Sequence, residues 1–395
     1  MVATVLPPYH AGRDSTHERA KTPPMNRFKV AHATAEEWAH AAQACADGLM
    51  PLPQGANIGF VYITDIFAED ASNVLAYLRQ KTGIENWIGT VGMGICAVDT
   101  EYFDQPAVAA MVGALPEGSF QTFPSIDKGV DQLSPKVRAW VANAGAPFGI
   151  VHADPSNAET PELIQALALE TSAFLVGGLT SSRGPNHQFA GRLTGGGISG
   201  VLFSPEIEVA TSLTQGCTPI SGYHVVSDCL DNVVIGLDGR RALDVFKEAI
   251  GEILARDLGR AVGYIHAAVP IEASDTGDYL VRNVIGVDPA RGWIAVGAPL
   301  QPGERMMFVR RDPKSAEKDM NESLDNLKRR LPGPPKAGVF FSCVARGINM
   351  FGTSGREMEL IRARLGDFPM LGFYAGGEIS NARLYGYTGV LALFL

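Results

Sequence analysis

Cysteine is scarce in this chain. Its five residues, at 45, 96, 217, 229 and 343, form no C-x-x-C pair and have no His or Cys neighbour at zinc-ligand spacing, which argues against a structural zinc or a disulfide framework. An odd, sparse thiol count fits a reducing compartment. Basic charge is also short: 33 Lys and Arg stand against 42 Asp and Glu, for a formal charge of −9. A phosphate-backbone footprint needs Lys and Arg along one face, so no nucleic-acid partner is expected. The one basic cluster, Lys328-Arg329-Arg330, ends a helical stretch, where the dipole favours cations. Long apolar runs are missing too; none reaches the ~20 residues that span a bilayer, so no membrane partner is expected. The first 24 residues carry His10, Arg13, His17, Arg19 and Lys21 without the apolar core of a secretory signal. The expectation is a cytoplasmic protein whose residues 1–30 form a disordered tail, with Met1 or Met25 as its start.

Reaction signatures are lacking as well. No G-x-S-x-G occurs, the Ser and His residues show no triad context, and Asp65 has no obvious acidic partner for general acid/base work. Gly177-Gly178 and Gly195-Gly196-Gly197 offer backbone amides to a phosphate, but no G-x-x-x-x-G-K-[ST] accompanies them. An enzyme is therefore not expected.

What is present is an apolar fraction of 46% over 395 residues, enough for two cores. From 34 to 49 the apolar positions Trp38, Ala41, Ala42, Cys45 and Leu49 follow helical spacing, and Thr34 with Glu37 forms a capping box. A helix followed by a strand is thus expected to open the fold. Strands are predicted at 58–63, 87–91, 107–115, 148–152, 174–177, 200–203 and 207–213, with helices at 70–81 and after Thr160-Pro161. Asp238-Gly239 precedes an amphipathic helix carrying Leu243, Phe246, Ile250, Ile253, Leu254 and Leu258 on one face, and the domain boundary falls there. A hairpin is predicted around Pro289-Ala290-Arg291-Gly292, then a helix marked by Met320, Leu324, Leu327 and Leu331, then strands at 338–343, 370–374 and 387–394. No repeat is visible at 20 to 50 residues. The fold class is α/β (α+β mixed): two similar-sized domains, 31–236 and 237–395, with mixed sheets flanked by helices and packed together.

Two late stretches carry the chemistry: Phe340-Phe341-Ser342-Cys343-Val344-Ala345-Arg346-Gly347 and Gly372-Phe373-Tyr374-Ala375-Gly376-Gly377-Glu378-Ile379. Each is an apolar run ending in small and ionisable residues, the way α/β proteins place ligand groups at strand ends. The Arg346 charge would lower the pKa of the Cys343 thiol, or Cys343 is a plain core residue. Arg346 suits a bidentate carboxylate contact, or a structural pair with Glu378. Gly376 and Gly377 let the backbone approach a ligand beside Tyr374, and Glu378 would hold an ammonium group. Arg282 and Asn283 lie in the apolar stretch 281–287 and are placed in the same pocket.

The FSC-x-x-RG and GF-x-x-GE segments resemble the C-terminal half of the FIST family. Upstream matches come in order: Asn57-Ile58-Gly59-Phe60-Val61-Tyr62-Ile63, Trp87-Ile88-Gly89-Thr90-Val91-Gly92-Met93-Gly94, Leu175-Val176-Gly177-Gly178, Gly197-Ile198-Ser199-Gly200-Val201, Gln215-Gly216-Cys217-Thr218-Pro219-Ile220 and Tyr279-Leu280-Val281-Arg282-Asn283-Val284-Ile285-Gly286. The acidic residue that relatives often carry near Met93 is absent. The resemblance implies a stand-alone sensor that binds a small, amino-acid-like ligand between two domains, with no cofactor, and signals to a separate partner protein. One alternative it implies is a haem-containing nitric oxide sensor regulating a histidine kinase, with His152, His187, His224 or His266 as axial ligand. A protein-interaction scaffold, as in eukaryotic F-box proteins with FIST halves, is another, although no F-box is recognisable.

Overall fold

The computed structural model describes residues 27–271 and 279–395; the expectations for residues 1–26 and for the start lie outside them. The fold opens with an edge strand, Phe28–Thr34, not with a helix. Thr34 caps nothing: it ends the strand and its hydroxyl donates to the Pro106 carbonyl at 2.6 Å. The helix Trp38–Gly48 starts after it without a side-chain cap.

From there the chain repeats one motif three times. In each unit an edge strand and a helix precede two parallel strands joined by a helix, and a short hairpin and an antiparallel return strand follow. The parallel pairs are Ile58–Thr64 with Asn86–Gly92, Phe148–Ala153 with Phe174–Leu179, and Ala337–Cys343 with Met370–Ala375. Their shared register explains one sequence feature. Gly89, Gly177 and Gly372 face Val61, Val151 and Phe340 across each pair, and a Cβ there would stand 1.7, 1.7 and 1.8 Å from the opposing carbonyl oxygen. Only glycine fits such a contact.

The units are interlocked by their hairpins. Gly94–Ala97 with Thr100–Phe103 leaves the first unit to pair with Met370–Ala375 of the third, Gln188–Ala190 leaves the second to pair with Asn86–Gly92 of the first, and Glu378–Ser380 leaves the third to pair with Phe174–Leu179 of the second. Three six-stranded sheets result, each completed by a neighbour's hairpin. Their facing residues form one core, including Phe60, Tyr62, Ile150, Phe203, Phe341, Phe373 and Phe394. The repeat is about as long as a unit, roughly 85 residues, beyond the 20 to 50 residues of solenoid-type repeats.

The third unit is interrupted. Between its edge strand Val209–Gln215 and its helix Pro313–Arg330 stands an antiparallel sheet that closes on itself, because Ile265–Pro270 pairs with both Tyr279–Asp288 and Arg305–Arg311. This small barrel enters and leaves side by side, with Cys217 opposite Arg311. The predicted hairpin is there as Tyr279–Asp288 with Trp293–Val296. The helix Ala242–Ala255 buries Leu243 and Phe246 against the barrel, but Gly251 at φ 77° breaks it, so Ile253 loses the register and is 86% exposed. In Pro313–Arg330, Asp312 accepts from the Lys314 amide, Pro313 sets the first turn, and Met320, Leu324 and Leu327 are buried. The structure is a mixed α+β fold, and no helix among the described residues is long and apolar enough to cross a membrane.

Candidate ligand site

The strand Ala337–Cys343 ends in a tight loop, with the Arg346 amide donating to the Cys343 carbonyl at 2.7 Å. That turn folds the Arg346 side chain back under the loop, where it is fully buried. Its partner there is Glu357, not Glu378: Nε donates to Oε1 at 2.8 Å, while Oε2 accepts from Ser342 Oγ at 2.9 Å and from the Gly347 amide at 3.1 Å. Glu357 lies in the first turn of Arg356–Leu365, where the helix dipole favours an acid. Burial opposes the Arg346 charge, yet Glu357, with smaller pulls from Glu378 and Asp319, holds the guanidinium above its ordinary pKa. Arg346 is therefore an internal ion-pair residue whose Nε is committed to Glu357. The sequence reading missed Glu357; its signal was an acidic residue opening the helix after the FSC-x-x-RG segment.

Glu378 is fully buried. Its Oε2 accepts from the Thr388 amide at 3.0 Å and hydroxyl at 2.8 Å, and Oε1 has no partner. Burial pushes this carboxyl up to about 8, against the pull of the Thr388 donors and of Arg346. Cys343 is 6% exposed. Burial and then Glu378 raise its thiol well above the ordinary range, and the opposing Arg346 charge is the smaller influence. The expectation of an activated thiolate is thus reversed by desolvation. Tyr374 stands away from Glu378, with its ring 4.4 Å from Phe103 and so close to Gly347 that a Cβ there would lie 2.8 Å from it. Gly376 and Gly377 spend backbone groups on the second unit: the Gly376 amide donates to Leu179 at 3.0 Å, and the Gly377 carbonyl accepts from Leu179 at 2.8 Å.

Beyond Cys343 the barrel covers these strand ends. Tyr387, with φ of 64°, sits at the junction. Its carbonyl accepts from Arg346 Nη1 at 3.5 Å, its hydroxyl donates to Asn283 Oδ1 at 2.5 Å, its ring lies 4.5 Å from the His266 ring, and the Arg311 guanidinium stands 5.3 Å over it. Register places Arg311 opposite Cys217 and Asn283 opposite His266 on that barrel face. Alternation sends Arg282 to the other face, opposite Ala267; it is half-buried and donates to the Val281 carbonyl at 3.0 Å. Arg282 and Asn283 therefore do not share a pocket, because adjacent strand residues point opposite ways.

The junction is polar and incompletely satisfied. Arg311 Nε is buried without a hydrogen-bond partner, while the His266 ring and Glu378 Oε1 make no well-formed bond although the Asn283 side chain stands beside the first and the Cys343 thiol beside the second. Arg311 has no acidic partner among the described residues. Burial and the Arg311 charge push His266 down to about 4, so it is neutral near pH 7. Buried polar atoms are normally satisfied, so these atoms call for ordered water, an ion or a ligand group. His266 and Arg311 were not combined by the sequence reading, since they lie 45 residues apart on different strands.

A haem needs an accessible ring nitrogen beside a slot for a flat macrocycle. His152 Nε2 is 3.0 Å from Tyr62 Oη and the ring is enclosed by Tyr62, Phe341 and Phe373; burial pushes it down to about 3. His224 Nδ1 contacts Asp238 at 2.7 Å, and Tyr387 covers His266. These three histidines do not fit a haem.

Comparison with known proteins agrees with the C-terminal and N-terminal motifs. The FIST N domain model matches residues 57–240 and the FIST C domain model residues 242–381. The Mycobacterium tuberculosis "Uncharacterized protein MT0656" is 30% identical over 385 residues, covering 93% of this chain and 97% of that one. The Mycobacterium bovis "Uncharacterized protein Mb0898c" is 28% identical over 344 residues, covering 82% and 87%. The chain belongs to the FIST family, a family of sensory, small-ligand-binding domains.

Proposed function

We propose that this protein is a cytoplasmic, non-enzymatic sensor that binds a small amino-acid-like molecule at the junction of the barrel and the third unit and passes the signal to a separate protein. One observation carries the reading: the barrel brings Arg311, whose Nε is buried and unpartnered, beside His266 and Tyr387 at the strand ends past Cys343. A ligand with a carboxylate and an ammonium group uses such capacity, the guanidinium taking the former and the Asn283 side-chain oxygen the latter. Arg346 then supports the floor of the site.

Thermal shift of the full chain against the twenty L-amino acids tests this. At least one should raise the melting temperature in a saturable way, and Asn283→Ala should weaken that response. A colourless protein that no amino acid stabilises would defeat the reading; a Soret band on protein purified from haem-sufficient cells would turn attention to haem at His187.

A further inference from the structure

Arg311 ties the two bodies together at this junction. It belongs to the barrel strand Arg305–Arg311, yet its Nη2 donates to the carbonyl of Ala345, one residue before Arg346, and its guanidinium stacks on Tyr387, whose carbonyl meets Arg346. Its Nε is buried and unpartnered, and it has no acidic partner among the described residues. The neighbouring Arg310 is different: it is exposed and pairs with Asp312 at 3.5 Å.

We propose that Arg311 reads the ligand's carboxylate and, by holding the Ala345 carbonyl and the Tyr387 ring, couples the occupied junction to the buried Arg346–Glu357 pair. The carboxylate role rests on the small-ligand reading above; the clasp on the loop does not. The physical basis is competition for one fork. A neutral carbonyl is a weaker acceptor than a carboxylate, so an arriving carboxylate draws the guanidinium and changes its hold on Ala345. The other carbonyls of loop 344–347 are held from within the chain's next turn, Val344 by Asn349 Nδ2, Arg346 by the Asn349 amide and Gly347 by the Met350 and Phe351 amides, so it is the Ala345 carbonyl that ties the loop to the barrel through Arg311. His266 stays neutral beside Arg311, so the anion meets a single fixed charge.

The clasp is tested without ligand, by hydrogen exchange of the full chain read on peptides across 343–350. Arg311→Gln should speed exchange there by roughly tenfold or more while peptides across 58–64 stay unchanged, Arg311→Lys should fall between, and Arg310→Gln should match the parent. Unchanged protection in folded Arg311→Lys and Arg311→Gln overturns the clasp. The carboxylate role is tested with whichever L-amino acid stabilises the parent, against its carboxamide. The amide should bind at least about tenfold more weakly, and Arg311→Lys should lose about as much for the acid. Equal binding of acid and amide overturns that role. If no amino acid binds, the proposed function falls and takes the carboxylate role with it, while the exchange result still judges the clasp.

Discussion

Asp154, just past the strand Phe148–Ala153, and Cys343, the last residue of Ala337–Cys343, hold equivalent positions in the second and third units, and the polar groups there are treated in opposite ways. Asp154 is buried and saturated: Oδ1 accepts from the Ser156 amide at 2.9 Å, Ser156 Oγ at 2.6 Å and Asn186 Nδ2 at 3.1 Å, and Oδ2 from the Gly196 amide at 3.0 Å. In the first unit Asp65 is likewise closed by Arg183, at 2.7 and 2.8 Å. At the third unit the barrel intervenes, and Glu378, His266 and Arg311 keep unpartnered atoms. One framework thus supports two ends whose acid, Asp65 or Asp154, is closed by its own neighbours and one whose acid, Glu378, keeps an unpartnered oxygen. A topological position confers no binding role; its unmet polar groups do.

The comparison breaks first at its ion pairs. Glu357→Gln leaves the Arg346 cation buried without a counter-charge, which should cost ~3–5 kcal/mol. Asp65→Asn frees an Arg183 that is half exposed, and should cost no more than ~1 kcal/mol. Urea midpoints measure both, and equal losses would mean that the third end is no more enclosed than the first.

Next comes pH. Glu378 holds its proton to about 8 in the fold, whereas an unfolded carboxyl releases it in the ordinary range. The native state then binds more protons between those limits, so this group's contribution is full at low pH and is lost as pH rises through neutrality to about 8. The expected slope is at most ~1.4 kcal/mol per pH unit, opposite in sign to a salt-bridged acid. Glu378→Gln, still facing the Thr388 donors, Cys343 and Arg346, should flatten it, and a parent whose denaturation midpoint rises over pH 5–8 by the same amount as the variant's would refute the assignment.

Smaller effects sharpen the contrast. Asp154→Asn loses charge-assisted bonds and should destabilise by ~1–2 kcal/mol without changing any ligand response. Tyr387→Phe removes only the hydroxyl bond to Asn283 and should cost ~0.5–1.5 kcal/mol, but it should also weaken ligand-induced stabilisation. Calorimetry of both variants decides whether the third end alone responds. For thiols, limited iodoacetamide should modify the half-buried Cys229 before Cys343, reversing the order that an Arg346-activated thiolate would show.

Much was legible beforehand. Apolar spacing in 242–250 and 313–330 and the strand runs report local physics, which a linear chain carries in full. The FIST resemblance and the strand-end location of Cys343, Arg346 and Glu378 follow from contiguous residues. Partners were another matter. Whether Arg346 met Glu357 or Glu378 depended on how one loop folds back, and no periodicity encodes that. The threefold repeat stayed hidden because the barrel interrupts its third copy and its hairpins pair outside their own units. The junction itself was assembled by tertiary structure alone: Cys217, His266, Asn283, Arg311 and Tyr387 come from five separate stretches of chain. Sequence determines which side chains are available and which local element carries each one. Only the closing of the barrel over the third strand end decides which of them lose water, and desolvation is what turns an ordinary carboxyl, thiol or imidazole into one with a shifted proton and an unmet hydrogen bond.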